Sequence, residues 1–151
     1  MKLVASLPQG LEQEGAKELV ELGAEIVKPS KRYVSFEADM ACLYRVHLQA
    51  RLPFRFFREI ARFSCNGPEE LYCEIQKAID WQRWLEPSKT FRVDVTGSTS
   101  FLNHSHFTAL QVKNAIVDFQ RKQWGKRSSI NLNFPDLCFH LHLQNREAIL
   151  S

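Results

Sequence analysis

From Lys2 to Phe63 the hydrophobic period switches repeatedly between two and 3.6, and Gly or Pro stands at most of the switches. Such punctuation calls for short strands and short helices in alternation. KLVASL reads as a strand, ended by Pro8 and Gly10. Leu11 to Leu22 sets Leu11, Ala16, Leu19, Val20 and Leu22 among four Glu, the pattern of an amphipathic helix, and Gly23 is a natural stop. Glu25 to Lys28 and Arg32 to Glu37 read as strands across a Pro29-Ser30-Lys31 turn. Asp39 is placed to cap a second helix, with Met40, Leu43, Tyr44 and Leu48 as its expected buried positions and an end before Pro53. FRFFREIARF, Phe54 to Phe63, is β-rich. Its Arg58 and Arg62 share parity with Phe56 and Ile60, so neither face is cleanly apolar.

The resulting order, β-α-β-β-α-β, is the split arrangement of a ferredoxin-like half-domain, expected over residues 1–66. Asn66, Gly67 and Pro68 mark a joint, and a second domain is expected over 67–151. There Pro68 to Ile79 predicts a helix with Leu71, Ile75 and Ile79 on one face. Trp81 and Trp84 follow in a short helical turn, and Thr90 to Thr96 alternates as a strand. A long helix is expected from Ser105 to Trp124, stopped by Gly125. Ser129 to Leu132, Leu137 to Leu143 and Arg146 to Ser151 predict strands, the last still running where the chain ends, as in an excised fragment. The fold class is α+β.

Four cysteines without a C-x-x-C spacing read as free thiols in a reducing compartment. No apolar run approaches the ~18 residues of a membrane span, and the amino terminus is too short in apolar residues for a secretion signal. A cytoplasmic location with no membrane partner is expected. The net charge of +3 is unevenly spread. Arg45, Arg51, Arg55, Arg58 and Arg62 face one acid in their window, Glu59. Lys113, Arg121, Lys122, Lys126 and Arg127 face Asp118 alone. Segregated cations of this kind suit a polyanion, or equally the solvated helix ends where Lys and Arg collect.

The segment from Thr96 to Arg127 carries the most chemistry. Gly97-Ser98-Thr99-Ser100 lies between a strand and a helix, where backbone N–H groups and the helix dipole make a phosphate seat or a plain capped turn. On the following helix Ala109, Val112, Ala115, Ile116 and Phe119 form an apolar arc, extended by Leu110, Val117 and Trp124. Lys113 falls inside that arc and must snorkel or meet a partner. His104/His106 and His140/His142 form two pairs, read as structural or ligand-facing, with no metal expected. No nucleophile–base set and no glycine-rich cofactor loop occurs, so no catalytic residue is assigned. Asn133-Phe134-Pro135-Asp136 reads as a turn.

The run TGS-SFLNHSHFTALQVKNAIVD over residues 96–118 resembles the signature of bacterial THUMP-containing RNA methyltransferases. PDL-HLHL over residues 135–143 is similar to that family's closing strands, and LPQGLE-EGAKEL over residues 7–19 to its amino terminus. The similarity covers nearly the whole chain. Asn114 stands where the family has Asp, Phe101 where it has Leu, and Asn103 where a basic residue is common. The resemblance implies a ferredoxin-like domain followed by a THUMP domain that grips RNA. It places the nearest relatives among large-subunit ribosomal RNA guanine-N2 methyltransferases. Their S-adenosylmethionine-dependent catalytic domain is expected after Ser151, so the fragment itself is expected to bind RNA without methylating it and to partner that domain.

On this reading a groove between the two halves takes structured ribosomal RNA. Lys113, Arg121, Lys122, Lys126 and Arg127 are expected to line one wall. Ser98, Ser100, Asn103 and His104 are expected to meet phosphate or ribose, and Arg55, Arg58 or Arg62 to extend the path. The alternatives are a THUMP module of a tRNA-thiolating enzyme and a ferredoxin-like protein-interaction domain with no RNA role.

Overall fold

The computed structural model describes residues 1–151 and divides into two compact units, Met1–Glu59 and Ile60–Ser151. The first contains β1 (Lys2–Ser6), α1 (Glu12–Glu21), β2 (Glu25–Ser30), β3 (Tyr33–Glu37), α2 (Met40–Gln49) and β4 (Arg55–Arg58). Its antiparallel sheet has the order β2-β3-β1-β4, the ferredoxin-like arrangement. Leu3, Ala5, Val34 and Phe36 of the sheet share a core with Leu19, Cys42 and Val46 of the helices. The β2–β3 turn is Lys31-Arg32, with Arg32 at φ 67°, and Pro29 lies within β2. An edge strand tolerates a proline because its missing N–H faces outward.

The second helix is rotated from its expected orientation. Cys42 and Val46 are buried, whereas Met40, Tyr44 and Leu48 are exposed. Asp39 accepts from the Cys42 N–H, which sets the helix start. Cys42 Sγ and Arg45 Nη1 both donate to the Leu22 carbonyl behind α1, and that anchorage turns Met40, Tyr44 and Leu48 outward while Leu43 packs against the core as expected.

FRFFREIARF is two strands rather than one. It breaks at Glu59-Ile60 into β4 and β5 (Ala61–Ser64), which belong to different sheets. The Glu59 N–H bonds to Lys2, and the next N–H, of Ile60, bonds to Leu150. The parity conflict follows from this break, since Phe56 packs in the first core and Phe63 against the second. The second unit therefore starts ahead of Asn66-Gly67-Pro68, which leads into a helix.

That unit continues with α3 (Pro68–Lys77), α4 (Trp81–Trp84), β6 (Thr90–Gly97), α5 (Ser105–Trp124), β7 (Ser129–Ile130), β8 (Leu137–Gln144) and β9 (Glu147–Leu150). Its sheet has the order β5-β9-β8-β6-β7, with β6 parallel to both β7 and β8. Asn145 and Arg146, both at positive φ, close the β8–β9 hairpin as a two-residue primed turn requires. Phe91, Phe139, Leu141 and Leu143 of the sheet form a core with Leu71 and Ile75 of α3 and Val112 and Ile116 of α5. Trp81 stands edge-on to Phe139 and donates Nε1–H to the Ile75 carbonyl.

The helix α5 occupies its expected span, but its core face contains polar residues. Thr108 and Gln120 are fully buried, while Leu110 is exposed. Gln120 donates to the Leu85 carbonyl and to Ser128 Oγ and accepts from the Ser128 N–H, so its burial is satisfied. The strand β7 stops at Ile130 rather than Leu132 because the Asn131 side chain takes over the backbone bonding. It accepts from the N–H groups of Asn133 and Phe134 and donates to the Phe134 carbonyl. All four cysteines are free, and burial pushes the Cys42 and Cys65 thiols up. No helix is long and apolar enough to cross a membrane.

Candidate nucleic-acid interface

Gly97, the last residue of β6, has φ 76°, and a Cβ there would run into the Leu143 carbonyl oxygen of β8. Glycine lets the two parallel strands approach while the chain turns out of the sheet. Thr99 and Leu102 then exchange backbone hydrogen bonds of 3.2 and 3.3 Å, and Thr99 Oγ1 also accepts from the Leu102 N–H. Leu102 is buried in the core of the unit. The loop is thus pinned at Gly97 and Leu102, leaving Ser98, Ser100, Asn103 and His104 exposed.

The loop delivers the chain to the amino end of α5. His104 is extended there (φ −110°, ψ 105°), its side chain makes no cap hydrogen bond, and the first turn holds no acidic residue. Its carbonyl accepts from the Thr108 N–H and hydroxyl. The first N–H groups of a long helix and the positive end of its dipole therefore adjoin exposed hydroxyl, amide and imidazole groups, an arrangement that suits an anion.

The expected cationic wall is not continuous. Arg121 and Lys122 lie in the last turn of α5, and Lys126 and Arg127 in the connection to β7, all four exposed. A helix of this length spans about 30 Å, so these four stand at the opposite end of α5 from Ser98–His104. Lys113 is half-buried between them. At about 100° per residue, Lys113 and Lys122 project from sides of α5 roughly 180° apart. Counting charge along the sequence merges residues that a helix separates. Arg121 has Asp118 at 4.0 Å. Arg55 and Arg58 are exposed on β4, an edge strand of the first unit. Arg62 lies on β5 in the second unit and binds Glu147 at 2.8 Å. The three arginines thus belong to two sheets.

The face of the second sheet turned away from α5 carries Arg92 and Asp94, paired at 2.9 Å, and a triad that sequence reasoning did not assemble. Thr96 Oγ1 lies 3.0 Å from both His140 Nε2 and His142 Nδ1. A hydroxyl has one proton, so it donates to one ring and the other ring must donate to it. The two histidine pairs do not meet, and no group of three or more His, Cys, Asp or Glu side chains is arranged to hold a metal.

At the carboxyl end of α5, Asp136 and Thr90 lock the loop before β8 to the start of β6. The Asp136 carboxylate accepts from the Thr90 N–H and hydroxyl, and Thr90 Oγ1 accepts from the Asp136 N–H. The Thr90 N–H first, then its hydroxyl, holds this carboxyl below the usual range. The Asn131 clamp shapes the rest of the loop and leaves Phe134 87% exposed. In the sequence the only sign of this clamp is an Asn three residues ahead of an aromatic.

The THUMP domain model matches residues 69–151, and the RlmL ferredoxin-like domain model matches residues 2–56. A Synechocystis protein provisionally named an RNA methyltransferase is 45% identical over 147 residues, covering 97% of this chain and 38% of that protein. Ribosomal RNA large subunit methyltransferase K/L of Ectopseudomonas mendocina is 41% identical over 150 residues, covering 99% of this chain and 21% of that protein. The chain thus spans between a fifth and two fifths of these relatives. The crystal structure of SMU.472, provisionally named a methyltransferase and bound to SAH, superposes with a TM-score of 0.81 at 24% identity, covering 99% of this chain and 40% of that one, and so shares the fold. With a THUMP domain model matching residues 69–151, more than half of its length, the chain belongs to the THUMP domain family.

Proposed function

We propose that this chain is the RNA-gripping part of an S-adenosylmethionine-dependent RNA methyltransferase of the cytoplasm that acts on large-subunit ribosomal RNA, at guanine N2. The observation that carries the RNA reading is the loop pinned by Gly97 and Leu102, which sets Ser98, Ser100, Asn103 and His104 around the uncapped start of α5. Backbone N–H groups there receive a phosphate oxygen, and the side chains reach neighbouring phosphate or ribose oxygens. Lys113 lies further along α5, and Arg121, Lys122, Lys126 and Arg127 supply cationic grip at its far end. Arg55 and Arg58 of the first unit and Arg62 of the second are assigned further backbone contacts, each within its own unit. The names of the 45% and 41% identical relatives support the methyltransferase assignment, and that of the 41% identical one the ribosomal substrate.

The residues present do not fit S-adenosylmethionine. The parallel strand–loop–helix passage from β6 to α5 has one glycine, pressed against Leu143, and neither β7 nor β8 ends in a carboxylate that could hold a ribose. The cofactor belongs to the remaining part of the parent enzyme, the partner of this module.

Filter binding of large-subunit ribosomal RNA fragments across a salt series tests the reading. Binding should weaken steeply with salt, and each phosphate left without its cation should lower the slope by about 0.7 to 0.9. A Lys113→Ala/Arg121→Ala double variant with an unchanged slope removes those two residues from the interface, and salt-independent binding overturns the reading.

A further inference from the structure

We infer that the carboxyl end of α5 carries a second RNA contact, an aromatic platform on which an unpaired base stacks over Phe134 while Lys126 and Arg127 hold the flanking phosphates. The inference rests on the RNA reading above and goes beyond it in naming single-stranded nucleotides as what this end of the unit takes.

Phe134 is 87% exposed and Leu132 65% exposed, in a loop that is not loose. Asn131 makes three hydrogen bonds within it, Arg92 Nη1 donates to the Leu132 carbonyl, and Asp136 is bonded reciprocally to Thr90. The aromatic ring is therefore held out to solvent on a backbone whose ordering is already complete, which lowers the entropy lost on binding. A lone exposed Phe in a flexible tail would lack that advantage.

Charge decides between occupants. The connection from the end of α5 to β8 holds Arg121, Lys122, Lys126 and Arg127 against Asp136, which is occupied by Thr90, and on the adjoining segment bonded to Ser128 and Asp136 the charges of Glu86 and Lys89 offset each other. Ser129 pairs with Thr90 in the sheet, and Asp136 bonds to the same residue. Arg127 and Phe134 each lie two residues from that shared anchor, so the segments that carry the cations and the ring start from the same edge of the sheet. An apolar protein partner would have to bury Lys126 and Arg127 at a desolvation cost, whereas a nucleotide strand offers a π-face to the ring and phosphates to the cations. Base stacking is tolerant of sequence, so this contact supplies grip on an unpaired segment rather than identity. It stands about 30 Å along α5 from the Ser98–His104 loop.

The test uses the 151-residue chain and two fluorescein-labelled probes, a mixed-sequence single-stranded RNA 12-mer and a blunt duplex of the same sequence. Phe134→Ala should weaken single-strand binding about tenfold, leave duplex binding within twofold, and leave the salt slope unchanged because no charge is removed. Phe134→Trp should restore binding. Lys126→Ala/Arg127→Ala should lower the slope itself. If the wild-type chain binds neither probe nor ribosomal RNA fragments, the RNA reading fails. If it binds RNA and Phe134→Ala binds both probes as well as wild type, the platform alone is overturned. It is equally overturned if Phe134→Ala weakens only association with the remainder of the parent enzyme, added as a separate polypeptide.

Discussion

Gly97 of β6 lies so close to the Leu143 carbonyl of β8 that no side chain fits between them, and its φ of 76° is one that glycine adopts freely. The pairing of these two residues ends the parallel ladder and aims the loop that follows. Gly97→Ala therefore incurs both a steric and a conformational penalty. It should destabilise the chain by about 2–4 kcal/mol. Urea denaturation should show a lower midpoint with little change in slope.

Gln120 and Ser128 form the second point on which α5 depends. Gln120→Leu keeps the volume but leaves the Ser128 N–H and the Leu85 carbonyl without their bonds in a buried site. A loss of about 2–4 kcal/mol is expected, again read from the urea midpoint. Gln120→Glu should not restore stability, since a carboxylate cannot donate to Leu85.

Much of this architecture was legible in the sequence. The span of α5, the ferredoxin-like order and the strands around Pro135 follow from period and punctuation. What was not legible required tertiary partners. The rotation of α2 depends on the Leu22 carbonyl, which draws in Cys42 and Arg45 and leaves Tyr44 and Leu48 outside. The break at Glu59-Ile60 has no Gly or Pro to announce it. It exists because adjacent N–H groups pair with different sheets. The loop of the candidate site was legible, since small hydroxyl residues and a glycine between strand and helix mark a tight turn. The cations could not be placed without the helix. Phe134 looked like part of an ordinary turn because the clamp that displays it is a side-chain arrangement.

Two exposed carboxylates predict an acid dependence. Thr90 holds Asp136 below its usual range, and the N–H of Arg32, with those of Glu12 and Gly10, does the same for Glu12. A carboxylate lowered in the folded state contributes stability above its unfolded value, near pH 4, and loses it as pH falls through the folded value. The melting temperature should therefore hold level down to about pH 4 and fall below it. Asp136→Asn should melt lower at neutral pH and show a shallower acid decline in the same scanning series.

The far end of α5 should act through charge. Replacing Lys122, Lys126 or Arg127 singly by Ala should lower the salt slope of ribosomal RNA binding by about 0.7 to 0.9 for each phosphate that the side chain neutralises. Stability should change little, since all three side chains are exposed. Equilibrium binding at several salt concentrations checks this, with circular dichroism as the control for folding.

The most direct measurement places negative charge in the proposed phosphate seat. Ser98→Glu/Ser100→Glu alters two exposed residues of the pinned loop and leaves Gly97 and Leu102 intact. Binding to large-subunit ribosomal RNA fragments is then compared with wild type at two salt concentrations. The account predicts at least a tenfold loss of affinity at low salt, narrowing as salt screens the repulsion. Equal affinity of the two proteins at both salt concentrations would contradict it.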